Sequence, residues 1–163
     1  MKKILFSIFI LTLISCTWDE IDVAPPPTYY EIWSGQNLIF EKGANTDPNN
    51  ALNQDNITPS VAITRGNNGG HIYNAISETQ SEKDISPLGT EWAIGDTSNI
   101  ENLTFLPFRD AVGSPQSVVG KKLVLHIIEE DVYLSVEFTS WNSGNGNGNG
   151  GNGGFAYSRS TEN

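Results

Sequence analysis

The chain is poor in residues that carry covalent or metal chemistry: of 163 residues, one is Cys, one is Met and two are His. A lone thiol excludes an internal disulfide, and His71 and His126 without a third ligand at close spacing fall short of a zinc site. Basic residues are scarce as well. Nine Lys and Arg stand against 19 Asp and Glu, for a formal net charge of −10. Nucleic-acid binding needs clustered cations to neutralise phosphates, so no nucleic-acid partner is expected. The apolar run Ile4–Ile14, interrupted by Ser7 and Thr12, is shorter than the roughly twenty residues of a transmembrane helix. No window keeps a helical apolar period beyond two turns, which leaves strands and turns. The length suits one domain with a real hydrophobic core.

The N-terminus gives the firmest expectation about location. Met1–Lys3 is basic, the apolar run follows, and residues 1–15 have the charge and length of a signal peptide. Leu13-Ile14-Ser15-Cys16 resembles the bacterial lipoprotein box, in which the Cys thiol takes a diacylglyceryl group, and Cys16 is the chain's sole cysteine. Two or more acyl chains, palmitate among them, would anchor the protein stably where one would not. By the same resemblance, Thr17 after the Cys is compatible with passage to the outer membrane of a Gram-negative bacterium. The acidic Asp19, Glu20 and Asp22 fit display at the cell surface. Residues 16–28 then form the lipidated Cys and a short tether stiffened by Pro25–Pro27.

Residues 29–163 read as a single β-domain. Lys121–Trp141, KKLVLHIIEEDVYLSVEFTSW, is a hairpin with an apolar side of Leu123, Leu125, Ile127, Leu134, Val136 and Phe138, and a mixed side that includes His126, Tyr133, Ser135 and Glu137. Folded about Glu130 and Asp131, it sets His126 opposite Ser135. Further strands are expected in NLIFEK, SVAITR, HIYNAI, EWAIG with Trp92 as core anchor, NLTFLPF ended by Pro107, and FAYSRST. Asp110–Gly120 reads as a connecting loop. About eight strands exceed what one sheet can bury on a single face, so the expected fold is all-β, a two-sheet β-sandwich with jelly-roll connections as one form, and a partly open β-barrel as the alternative.

Residues 143–154, SGNGNGNGGNGG, contain no apolar side chain to offset the entropy of ordering and read as an expanded hairpin loop. Their formal G-x-G-x-x-G lacks the strand and helix that a dinucleotide site needs. Trp33, Trp141, Tyr133, His126 and Tyr157 are candidate ligand-binding residues: aromatic rings stack on sugars while nearby Asn and Asp bind hydroxyls. No cofactor is expected. Calcium is a weaker alternative, with Asp47, Asn49 and Asp55 as oxygen ligands in the segment DPNNALNQDN, although turn formation also explains these residues. No catalytic residue is assigned. The favoured function is a non-catalytic surface module that binds a glycan or a surface protein; the rival is a small hydrolase using His126 with Ser135 and Glu137.

The stretches IWSG at Ile32, NQDNIT at Asn53, ITRGNNGG at Ile63, GTEWA at Gly89, VGKKLVLHIIEEDVYLSVEFTSW at Val119 and GGFAYSRST at Gly153 together resemble a functionally uncharacterised β-domain of bacterial exported proteins and lipoproteins. The resemblance covers nearly all of residues 30 to 161. It implies a single β unit in which the glycine insert is a variable loop, and it brings no activity or catalytic residue.

Overall fold

The computed structural model describes residues 30–143 and 153–163. The leader, Cys16, the Pro25–Pro27 tether, Tyr29 and residues 144–152 of the glycine insert lie outside the described residues. The remainder is a two-sheet, all-β sandwich built from β1 (Glu31–Trp33), β2 (Leu38–Lys42), β3 (Asp55–Asn56), β4 (Ala62–Arg65), β5 (Ile72–Asn74), β6 (Thr90–Ile94), β7 (Lys122–Ile127), β8 (Val132–Trp141) and β9 (Phe155–Arg159), with one short helix, α1 (Phe108–Val112). One sheet has six strands, in the order β2-β9-β8-β7-β6, with β1 beside β8; the other is the meander β3-β4-β5. No barrel closes.

The ten-residue β8 organises the large sheet. Its one edge pairs with β7, while the other is shared end to end: β1 runs parallel to Val132–Leu134 and β9 antiparallel to Val136–Trp141. Alternation then sends Val132, Leu134, Val136 and Phe138 to the same side as Leu123, Leu125 and Ile127, all buried. They meet Ile63 and Ile72 of the small sheet and Val61 just before β4, and Trp92, Phe108, Val112 and Val118 complete the core. Trp92 is fully buried, with its ring edge-on to Phe108 at 5.1 Å and its Nε1 donating to Thr90 Oγ1 at 2.9 Å. Each such large side chain contributes roughly 1.5–3 kcal/mol on burial.

The hairpin has the expected faces and a different register. Ile127 pairs with Val132, His126 with Tyr133, and Val124 with Ser135, so the ladder is slipped by two residues from the pairing that set His126 opposite Ser135. Asp131 occupies the left-handed region at φ 51°, which Asp tolerates better than most residues. It closes the loop Ile128–Asp131 one residue earlier on each arm than a turn centred on Glu130 and Asp131. A slip of two conserves which side chains face the core, because the period of a strand is two.

NLTFLPF does not form the expected strand. Only Leu106 bridges to Trp92. Before it, Asp96 caps a 3-10 turn over Thr97–Asn102 by accepting from the Ser98 N–H. After it, Pro107 opens α1 instead of closing a strand, its ring constraint suiting the start of a helix. The segment read as a loop from Asp110 therefore begins inside a helix and includes a further 3-10 turn, Pro115–Ser117.

A β-bulge completes the geometry needed below. Phe138 pairs with Tyr157, but Ser140 pairs with Ala156, leaving Thr139 unopposed. Without that extra residue, odd-numbered Trp141 would point away from the core. With it, Trp141 is opposite Phe155 and turned to the core side.

Candidate functional site

The five aromatic and imidazole candidates do not converge. Tyr157 is buried, and its hydroxyl donates to Asp55 Oδ2 at 2.6 Å; a ring sealed between sheets cannot stack on a ligand. Trp33 pairs in register with Leu134 and Tyr133 with Ile32, so Trp33 faces the core side and Tyr133 the opposite side. His126 and Tyr133 do meet: their rings stack at 4.2 Å and 5°, and Tyr133 also packs edge-on to Phe105 and Tyr30, each at 5.5 Å. His126 Nε2 lies 3.0 Å from Asp131 and Nδ1 3.6 Å from Glu91. Both ring nitrogens thus face carboxylates, and the Ser-His-acid set expected from sequence does not form.

Asp55 is removed from the calcium candidates by its own partners. Arg159 grips it with Nε at 2.7 Å and Nη2 at 2.9 Å, and Tyr157 adds a third donor. Asp55 is on β3 and Arg159 on β9, so the fork bolts one sheet to the other. Asp47 and Asn49 remain exposed, but Asp47 Oδ1 accepts from the Asn49 backbone N–H and side-chain amide at 2.9 and 3.2 Å, closing a local turn. Among the described residues no group of three or more His, Cys, Asp and Glu could hold a metal ion.

The structure draws attention instead to the turn Gly66–Gly70 and the two cations beside it. Arg65, the last residue of β4, is 2% exposed, and Lys42, the last of β2, is 1% exposed. Neither forms a carboxylate ion pair among the described residues. Arg65 donates from Nε to Gly70 O at 3.2 Å and from Nη1 to Asn142 O at 2.9 Å and Gly154 O at 3.2 Å. Its guanidinium lies 4.2 Å from the centre of the Trp141 ring, a cation–π contact that the Thr139 bulge makes available. The remaining nitrogen, Nη2, has no hydrogen-bond partner among the described residues. Lys42 Nζ donates to Asn67 Oδ1 at 3.0 Å, and Asn67 Nδ2 donates to Thr46 O at 2.9 Å. Gly153 packs so tightly on this turn that a Cβ there would collide with the Gly66 carbonyl.

Burial lowers the pKa of Lys42, and the nearby Arg65 charge lowers it further. Burial also brings Arg65 down to about 10, which leaves it charged at neutral pH.

Two clefts open on either side of the turn. The larger, about 550 Å³, is lined by polar groups that include Asn67, Asn68, Gln80, Ser81 and Glu82. The smaller, about 200 Å³, is lined by Arg65, Arg109, Ser114, Gln116 and Trp141, and the two share Gly69 and Gly70. Of the sequence candidates only Trp141 reaches either cleft. Even there its ring is engaged, with Arg65 over it and Phe108 stacked at 6.0 Å and 26°. Sequence reasoning missed Arg65, although alternation in SVAITR puts it on the same side as the buried Val61 and Ile63. The available signal was a cation ending a strand directly before a glycine-rich turn. Among known proteins no family model, no curated protein and no solved structure matches this chain.

Proposed function

We propose that this protein is a lipid-anchored lipoprotein of a Gram-negative outer membrane, displayed at the cell surface, whose β-domain binds a polar ligand of the glycan class without catalysing a reaction. It would be a member of the exported β-domain group that its sequence resembles. The observation that carries the binding reading is the pair of polar clefts meeting at Gly66–Gly70. Their shared wall is held rigid by Lys42 and Arg65, and rigid placement of polar groups is what recognition of hydroxyl-rich ligands needs. The rival reading, hydrolysis through His126, has less support, because both its nitrogens are directed at Asp131 and Glu91.

A glycan array probed with the full chain, with and without calcium, tests the reading. Binding that weakens with Asn67→Ala or Gln80→Ala supports it, and an array without binding under either condition would end it. The address is tested separately: Cys16→Ser should move the protein from the membrane fraction to the soluble one, and unchanged fractionation would refute lipidation.

A further inference from the structure

We propose that the smaller cleft is an oxyanion-binding site, in which Arg65 and Arg109 receive the carboxylate or sulfate of an acidic saccharide. The saccharide half of this statement rests on the glycan reading above; the oxyanion half stands on the cations alone.

The residues lining the cleft include two guanidinium groups and no Asp or Glu. That is unusual in a chain with an acid excess of this size, since acidic side chains elsewhere would be natural partners for any arginine. Arg65 is held by three backbone carbonyls and a Trp face, all neutral. These contacts fix its orientation, but they do not neutralise it. A buried cation that is hydrogen-bonded yet lacks an opposite charge still carries much of its desolvation penalty, which an entering anion relieves. Arg109, on the first turn of α1, is half-buried and forms no ion pair among the described residues.

Arg65, with Nε and Nη1 engaged by carbonyls, can offer Nη2 to an anion, and Arg109 can present a fork that matches two oxygens of a carboxylate or sulfate better than a point charge does. Ser114 and Gln116 add a hydroxyl and an amide at the rim, suited to the ring hydroxyls of a sugar. The Trp141 ring is already engaged by the Arg65 guanidinium and by Phe108, which leaves it less free to stack on a sugar. Recognition here is therefore by charge, and a neutral sugar has little to gain from the smaller cleft. Across the Gly69–Gly70 ridge, the larger cleft offers amides and hydroxyls for the neighbouring sugar units of the same chain.

The test is calorimetric titration of the full chain in detergent with an oligogalacturonate, a sulfated oligosaccharide, a neutral oligosaccharide and sodium sulfate. Arg65 is too deeply packed to be the first variant, so Arg109→Gln is compared with the parent, and Arg109→Lys tests rescue by charge. The expected result is preferential binding of the acidic saccharides, weakened by added salt. Arg109→Gln should cut it at least tenfold with an unchanged melting temperature, and Arg109→Lys should recover part of it. If sulfate binds in an Arg109-dependent way and no saccharide does, the oxyanion site stands while its saccharide assignment and the glycan reading both fall. If neutral and acidic saccharides bind equally, or Arg109→Gln changes nothing, the glycan reading survives and this proposal is overturned.

Discussion

Arg159 and Arg65 are buried to nearly the same depth, 5% and 2% exposed, and end up in opposite electrostatic situations. Arg159 has its acid: Asp55 accepts two of its N–H groups and the Tyr157 hydroxyl, and the cluster is closed. Arg65 has carbonyls, a Trp ring and an open cleft. The first arrangement serves assembly, since it joins β3 to β9 across 104 positions of sequence. The second leaves a charge without an acid in the wall of a polar cleft, and the proposed anion site rests on that difference. Burial of a cation alone therefore says little about its role; what matters is whether the fold also supplies the anion.

The largest effect should come from breaking the closed cluster. Asp55→Ala leaves the Arg159 guanidinium buried without its partner, and a loss of about 3–5 kcal/mol in equilibrium denaturation is expected. Replacing both partners, Asp55→Leu with Arg159→Met, should recover most of that loss, because well-packed apolar pairs often equal a buried ion pair. A double variant as unstable as the single one would show that the charges are worth more than their packing. At the open site, Arg65→Met strands three carbonyl groups but no charge, and the expected cost is smaller, about 2 kcal/mol by the same measurement. A cost equal to that of Asp55→Ala would erase the distinction between the two arginines.

Alkaline titration sharpens the same contrast. Burial and the neighbouring Asp55 raise the Tyr157 pKa well above 10, so the fold favours the protonated phenol. The stability this contributes is complete below pH 10 and is lost as pH rises through 10 toward the higher folded value. Tyr157→Phe should cost about 1.5 kcal/mol at neutral pH through the lost hydrogen bond. It should also flatten the decline in melting temperature between pH 9 and 11. Lys42 and Arg65, both lowered, work in the other direction, since the penalty on their charged forms is relieved as pH rises.

The parts of this molecule that could be read in sequence are those set by local period. Leu123, Leu125, Ile127, Leu134, Val136 and Phe138 announce a buried face by alternation alone, and a two-residue slip of register does not change it. Trp92 was legible as a core anchor by size and setting. What could not be read depends on distant partners or on single-residue irregularities. Tyr157 follows the same alternation as Phe155, and nothing local shows that Asp55 will take its hydroxyl. Trp141 lands on the core side only because Thr139 bulges. All four residues of β4, the central strand of the small sheet, are buried. Arg65 shares the side of Val61 and Ile63, but its partners, the carbonyls of Asn142 and Gly154 and the ring of Trp141, come from distant segments, so neither its burial without an acid nor the cleft could be read locally.

The smallest expected effect distinguishes the cleft from the other cluster of charge on the sheet. His126 lies on the outer face beside Asp131 and Glu91, whose side chains are 45% and 44% exposed. Pairs so open to water are worth about 0–1 kcal/mol, and the stack on Tyr133 contributes of similar order. His126→Ala should therefore lower stability by only about 1 kcal/mol in equilibrium denaturation. Its ring partner Tyr133 is eight residues from Trp141 along β8, about 25 Å at the rise of a strand, so the same substitution should leave saccharide and sulfate binding at the Gly66–Gly70 turn untouched. Hydrolytic activity abolished by His126→Ala in a folded protein would reverse the assignment. The site would then be the half-buried imidazole between two acids, and the buried arginine beside Trp141 would be reduced to a packing device.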